Sequence, residues 1–173
     1  MYKHMLAVFL FMVCFTGGQT ENIVSAVRLA NLNNEDTDIP SLGEKVTVIF
    51  YVDPDVQRLT RPVSDALEEI KFSLERNAFI GIVNCKETWL PNPLIRMKAR
   101  KEQELHPKSV ILMDNDRLLA RAWKLGDCNN KFVLLIIGTD LRVLYNKVIG
   151  SEDESKAAVP GFIQVLRTAQ KKD

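Results

Sequence analysis

Lys45-Val-Thr-Val-Ile-Phe-Tyr-Val52, stopped by Asp53-Pro54-Asp55, is the stretch on which the fold turns. It is β-branched and apolar with little alternation, the pattern of a strand buried on both faces. Directly behind it, Val56, Leu59, Val63, Leu67, Ile70 and Leu74 recur at steps of three and four, which gives one apolar helical stripe. Asp53 or Asp55 can cap that helix, and Pro54 suits a first turn. Pro62 falls inside the pattern and, lacking an amide hydrogen, predicts a kink near the first turns. Phe-Ile-Gly-Ile-Val-Asn (79–84) follows as a second buried strand.

Downstream, Asn84 to Pro93 is irregular, with Trp89, Pro91 and Pro93 marking a loop. Asn92-Pro93 reads as an N-cap and first helical residue for a charged helix ending near Leu105. Ser109–Met113 predicts a third strand, and Asp114-Asn115-Asp116 turns into a short helix carrying Leu118, Leu119, Ala122 and Trp123. Phe132–Ile137 and Arg142–Val148 read as strands joined by a four-residue hairpin connection. Pro160 can open a closing helix that buries Phe162, Val165, Leu166 and Ala169 and has Lys171-Lys172 at its negative end. Upstream, Ile23–Leu32 is β-compatible and Asn33–Asp38 reads as a polar turn. The sum is an α/β domain with a central mixed sheet, helices on both faces, and a C-terminal β-hairpin and helix.

The 173 residues are 46% hydrophobic and 26% charged, with a formal net charge of +1. That composition describes one folded domain able to bury about two-thirds of its unfolded surface without disulfides or metal. The near-zero charge gives no field for holding nucleic acid along a whole face. At the N-terminus, Lys3 precedes an apolar run from Leu6 to Phe15, and Thr16 to Thr20 are small or polar. Ten apolar residues rise only about 15 Å as a helix, too short to span a bilayer. Residues 1–20 therefore read as a signal peptide cut between Gly17 and Glu21, and 21–173 as the mature domain, periplasmic or secreted with no stable membrane span. The mature chain keeps two cysteines, Cys85 and Cys128, and an exported pair can be oxidised or free.

The order of elements resembles the thioredoxin-like fold. Within it, Phe79-Ile-Gly-Ile-Val-Asn84, Pro91-Asn-Pro93, Arg96, Lys101, Pro107-Lys-Ser109 and Asp114 resemble the YtfJ-like proteins. So do Ala122-Trp123-Lys-Leu125 and the hairpin with Asp140 and Arg142-Val143. These are small periplasmic proteins of unknown function, so the resemblance implies a fold and a compartment but no activity. The wider resemblance supplies a sharper test. In redox-active thioredoxin-like proteins, a Cys-x-x-Cys pair opens the helix after the central strand, with a kinking proline five positions past the second cysteine. If Pro62 is that proline, Pro54 and Gln57 occupy the two cysteine positions. The cis-proline that faces the dithiol would fall near Phe132 or Val133, and no proline lies between Pro107 and Pro160.

The candidate site residues follow. Cys85 ends a strand at the edge where such sheets host sites, with Lys86 beside it to favour a thiolate. A lone thiol without a base is nevertheless a poor nucleophile. Asp53, Asp55, Asp114 and Asp127 follow strands or precede helices, where carboxylates cap backbone donors. Asp53 and Asp55 with Glu87 lack the oxygen count of a hard-metal site. One histidine, His106, remains after signal removal, and neither Gly-x-x-x-x-Gly-Lys nor Gly-x-Gly-x-x-Gly occurs, so neither a metal nor a nucleotide cofactor is expected. Arg96, Lys98, Arg100 and Lys101 suit a solvated helix with pairs such as Lys98–Glu102, or an anion- or partner-binding face. Two functions remain. In the first, a non-catalytic module binds an envelope protein or small ligand through Asp53, Asp55, Trp89 and Pro91. In the second, a degenerate redox enzyme uses Cys85 with Cys128 as its resolving thiol.

Overall fold

The computed structural model describes residues 22–171. The expected signal peptide lies outside them. The strands are β1 (Arg28–Ala30), β2 (Asp36–Asp38), β3 (Val46–Val52), β4 (Asn77–Asn84), β5 (Val110–Asp114), β6 (Phe132–Ile137) and β7 (Val143–Ile149). The helices are α1 (Arg61–Glu69), α2 (Asn92–Leu105), α3 (Leu118–Ala122) and α4 (Glu152–Ala169). The strands form one sheet in the order β2-β1-β5-β4-β3-β6-β7. β3 pairs in parallel with β4 (Val46 opposite Asn77, Val52 opposite Val83) and antiparallel with β6 (Val52 opposite Phe132).

Strand parity builds two cores. Val46, Val48 and Phe50 of β3 face α1 and α4 with Phe132, Leu134 and Ile136 of β6. Phe50 touches Phe79 and Phe132 edge-on, each with ring centroids 4.8 Å apart, a favoured aromatic geometry. Fully buried Phe162 brings α4 onto this layer, and the Ser155 hydroxyl ties α4 to the segment before α1 by donating to the Leu59 carbonyl at 2.7 Å. Ile49 and Tyr51 project to the opposite face, where Leu119 and Ala120 of α3 and Val24 of the leader cover them with Leu112 of β5. α2 sits on the α1/α4 side, where Ile95 packs against Met113, Ala30 and Cys85.

Several local readings are corrected. The stripe from Val56 to Leu74 is not one helix but a 3-10 segment, Pro54–Thr60, followed by α1, which ends at Glu69. Pro62 therefore stands in the first turn of α1, where its missing donor costs nothing, rather than inside a kinked helix. The residue before α2 is Pro91, with no side-chain cap, and Asn92 instead donates to Asn115 Oδ1 at 3.3 Å. α4 begins eight residues before Pro160, which lies inside it. Ser151 accepts from the Glu154 amide, and Glu152, Asp153 and Glu154 favour the positive helix end. Only Arg28–Ala30 of the β-compatible leader is a strand, and part of the expected polar turn, Asp36–Asp38, pairs with it as β2.

Candidate functional site

β3, β4 and β5 run in parallel, so their carboxyl ends reach one edge of the sheet. There each contributes one fully buried polar side chain: Asp53 just past β3, Asn84 at the end of β4, and Asp114 at the end of β5. Asn84 and Asp114 are register partners. Asp53 accepts from the Asp55 amide (2.9 Å) and the Asn130 amide (2.7 Å), so it ties the start of the 3-10 segment to the loop before β6. Asp114 accepts from the amides of Leu118 (2.7 Å) and Leu119 (3.1 Å), and from the Tyr51 hydroxyl at 3.2 Å. Burial, with the charge of Asp114 second, pushes the Tyr51 phenol far up, so it stays a donor. Asn84 differs. Neither its amide nitrogen nor its amide oxygen has a partner.

A second layer closes the edge. Arg117 adopts a left-handed backbone (φ 58°), and its guanidinium meets Glu87 at 2.8 Å while also donating to the Gly126 carbonyl at 3.3 Å. That links the loop after β4 to the turn before α3. Sequence reasoning missed Asn84, Tyr51 and Arg117. An asparagine at the end of an apolar strand was the available signal for the first of them.

The predicted site residues divide. Thr88 donates to Asp55 Oδ1 at 3.0 Å, so the 53–55 and 85–91 loops do meet. Trp89 stands 83% exposed on that surface, Pro91 is exposed beside it, and Asp53 lies beneath it as a structural tie. Asp53 engages backbone amides and Glu87 pairs with Arg117, so the two do not converge with Asp55. Pro54 occupies the first turn after β3, and Gln57 is exposed, its carbonyl accepting from the Thr60 hydroxyl. Asp127 is a loop residue, capping the Asn129 amide and pairing with Lys131 at 2.8 Å.

The two thiols are free and buried. Cys85 lies in the cluster under α2 with Val83 and Met113, whereas Cys128 lies in the cluster under α3 that holds Ile82 and Leu112. Val83 and Ile82 alternate along β4, as do Met113 and Leu112 along β5, so the thiols occupy opposite faces of the sheet. Burial is the main cause that pushes Cys85 up to about 12, with Asp114 adding and Arg96 opposing. Burial likewise pushes Cys128 up to about 11, against the pull of Arg117. Cys85 Sγ reaches the Val83 carbonyl at 3.4 Å and Cys128 Sγ the Gly126 carbonyl at 3.7 Å, neither of them a base.

The comparison with solved structures now decides the architecture. The fold is thioredoxin-like. An uncharacterized thioredoxin-like protein from Porphyromonas gingivalis superposes with a TM-score of 0.60 at 15% identity, over 86% of this chain and 92% of that one. A DsbF homologue from Corynebacterium diphtheriae gives 0.57 at 16%, over 88% and 95%. BsSco, a member of the Sco family of cytochrome c oxidase assembly proteins described with a disulfide switch, gives 0.59 at 12%, over 89% and 96%. No protein-family model and no curated protein sequence matches the chain. On the thioredoxin-like frame, the edge built from Asp53, Asn84, Asp114 and the loops above them is where open α/β sheets receive ligands.

Proposed function

We propose that this chain is an exported, YtfJ-like, non-catalytic thioredoxin-fold module that binds a protein or small ligand in the cell envelope. Its contact surface is the pair of loops joined by the Asp55–Thr88 hydrogen bond, with Trp89 and Pro91 outermost. The observation that carries this reading is the separation of the thiols. Cys85 and Cys128 are buried in different cores on opposite faces, and both are held protonated by burial. The helix start after β3, where a dithiol would gain from amide donors and the helix dipole, holds Pro54 and Gln57. The resemblance residues support the compartment. No helix among the described residues is long and apolar enough to cross a membrane.

The thioredoxin-like neighbours favour a second reading, thiol redox chemistry. Cys85 as a thiolate would attack hydrogen peroxide, forming a sulfenic acid and releasing hydroxide. The Cys128 thiol would then displace water to give the disulfide, which an external dithiol would reduce. Intact-mass thiol counting on protein exported to a periplasm, followed by peroxide and disulfide-exchange assays, separates the two. The binding reading expects two free, inert thiols. Fast, reversible oxidation of Cys85 captured by Cys128 would overturn it.

A further inference from the structure

Pro93, Arg96, Met97, Arg100, Lys101 and Glu104 of α2 line a groove of about 450 Å³. Two of its cations are held in an unusual way. Arg96 donates to Asn34 Oδ1 at 2.6 Å, and Arg100 donates to the Leu32 carbonyl at 2.6 Å and to Asn33 Oδ1 at 3.3 Å. These acceptors are neutral, so they orient the guanidiniums without cancelling their charge. Among the described residues, the ion pairs of this helix leave both arginines out: Glu102 pairs with His106 at 3.6 Å, not with Lys98 as the spacing suggests. Arg96 Nε is buried without an acceptor. Pre-oriented planar donors with uncompensated charge are suited to carboxylates.

Apolar surface accompanies the charge. Leu94, Met97 and Leu105 are exposed on the same helix. Arg96 and Arg100 are one turn apart, a rise of about 6 Å, which matches the spacing of alternate side chains along an extended strand, about 6.6 Å. We propose that the α2 groove binds an acidic, partly apolar peptide segment of a partner protein in extended form, its alternate carboxylates reaching Arg96 and Arg100 and an apolar side chain resting on Met97. The strand-like spacing of Arg96 and Arg100 suits the alternating side chains of a peptide; an anionic bilayer shares the charge but not that spacing, and the vesicles below separate the two. The groove lies past the loop surface described above and does not depend on it.

The test uses the full chain and a pool of labelled nine-residue peptides with Asp or Glu at alternate positions and apolar residues between them, read by fluorescence anisotropy. Binding should weaken about tenfold or more when the acidic positions are made Asn and Gln, and in the double variant Arg96→Gln, Arg100→Gln. Because those arginines also hold the 31–34 turn, Lys101→Glu serves as a second variant that touches only the groove and should weaken binding about severalfold. The proposal is overturned if the amide peptides bind equally, if neither variant changes affinity, or if no peptide binds. Binding to vesicles of phosphatidylcholine and phosphatidylglycerol in place of the peptides would also overturn it.

Discussion

The ends of β3 and β5 contrast with the end of β4, though all three meet at one edge and each buries a polar side chain completely. Asp53 and Asp114 each accept two backbone amides, so the segments leaving β3 and β5 are fixed from within. The side chain of Asn84, lying between them in the sheet, has no hydrogen-bond partner. The loop leaving β4 is instead held by the Cys85 amide donating to the Asp114 carbonyl at 3.0 Å, by the buried Cys85 side chain, and at the surface by Glu87–Arg117 and Thr88–Asp55. That loop carries Trp89. Two strand ends hold their outgoing segments through a buried carboxylate, whereas the third does so without help from its own buried polar side chain.

The contrast can be broken most forcefully at Asp114. Asp114→Ala strands the amides of Leu118 and Leu119 and the Tyr51 hydroxyl, and should lower unfolding free energy by about 3–5 kcal/mol in urea titration. Loss of less than about 1 kcal/mol would mean that the frame at β5 is no firmer than the loop at β4.

The thiols offer the next largest effect. At pH 8, a thiol pushed up to about 11 rather than the usual 9.0 carries about a hundredfold less thiolate, so alkylation of folded Cys128 should run about a hundredfold slower than in the unfolded chain, and Cys85 slower still. Linkage fixes the sign with pH. Both thiols are protonated in either state below pH 9, but above it the unfolded chain loses protons that the folded chain keeps. Stability should therefore fall as pH rises from 9.0 through about 11 for Cys128 and about 12 for Cys85. A flat profile in alkaline urea titrations would show the thiols to be more accessible than their clusters imply.

Asn84→Leu sharpens the contrast from the other side. Leucine has the same number of side-chain heavy atoms and no unmet polar group, so stability should rise by about 1 kcal/mol. A loss would mean that the amide is hydrogen-bonded in solution and that β4 belongs with its neighbours. A small effect is also expected of Thr88→Val, which removes the hydrogen bond to Asp55 and the acceptor of the Leu90 amide and should cost about 1 kcal/mol or less while speeding proteolysis within 85–91.

How far the sequence discloses this arrangement follows from what each signal measures. Phe132–Ile137 is readable to the residue, because six consecutive apolar residues bounded by Lys131 and Gly138 admit one interpretation at that length. The α1 region is readable in its apolar stripe but not in its division, because 3-10 and α geometry place Val56, Leu59 and Val63 on much the same side. Pro160 misleads because a proline is cheapest in a first turn, whereas Phe162 and Leu166, buried beyond it, and the Ser151 cap ahead of it offset its cost inside α4. β2 is invisible, since Asp-Thr-Asp opposes strand propensity and is held by its partner β1. At the site, Asp53, Asp55 and Trp89 are legible from their position after strands. The partnerless state of Asn84 and the separation of Cys85 from Cys128 depend on which face each side chain meets, and one residue of parity decides that.

The two margins of the sheet have a consequence for how the chain behaves among many copies of itself. β2 is three residues long and flanks Thr37 with two carboxylates, so it offers little backbone and a repulsive border to an incoming strand. β7 is longer, but a bulge opposite Ile136–Ile137 bends its start, and Lys147 projects exposed from its middle. Both margins thus carry features that disfavour strand addition. Strand addition at either margin should therefore be weak, and concentrated chains are expected to stay separate rather than zip into fibres.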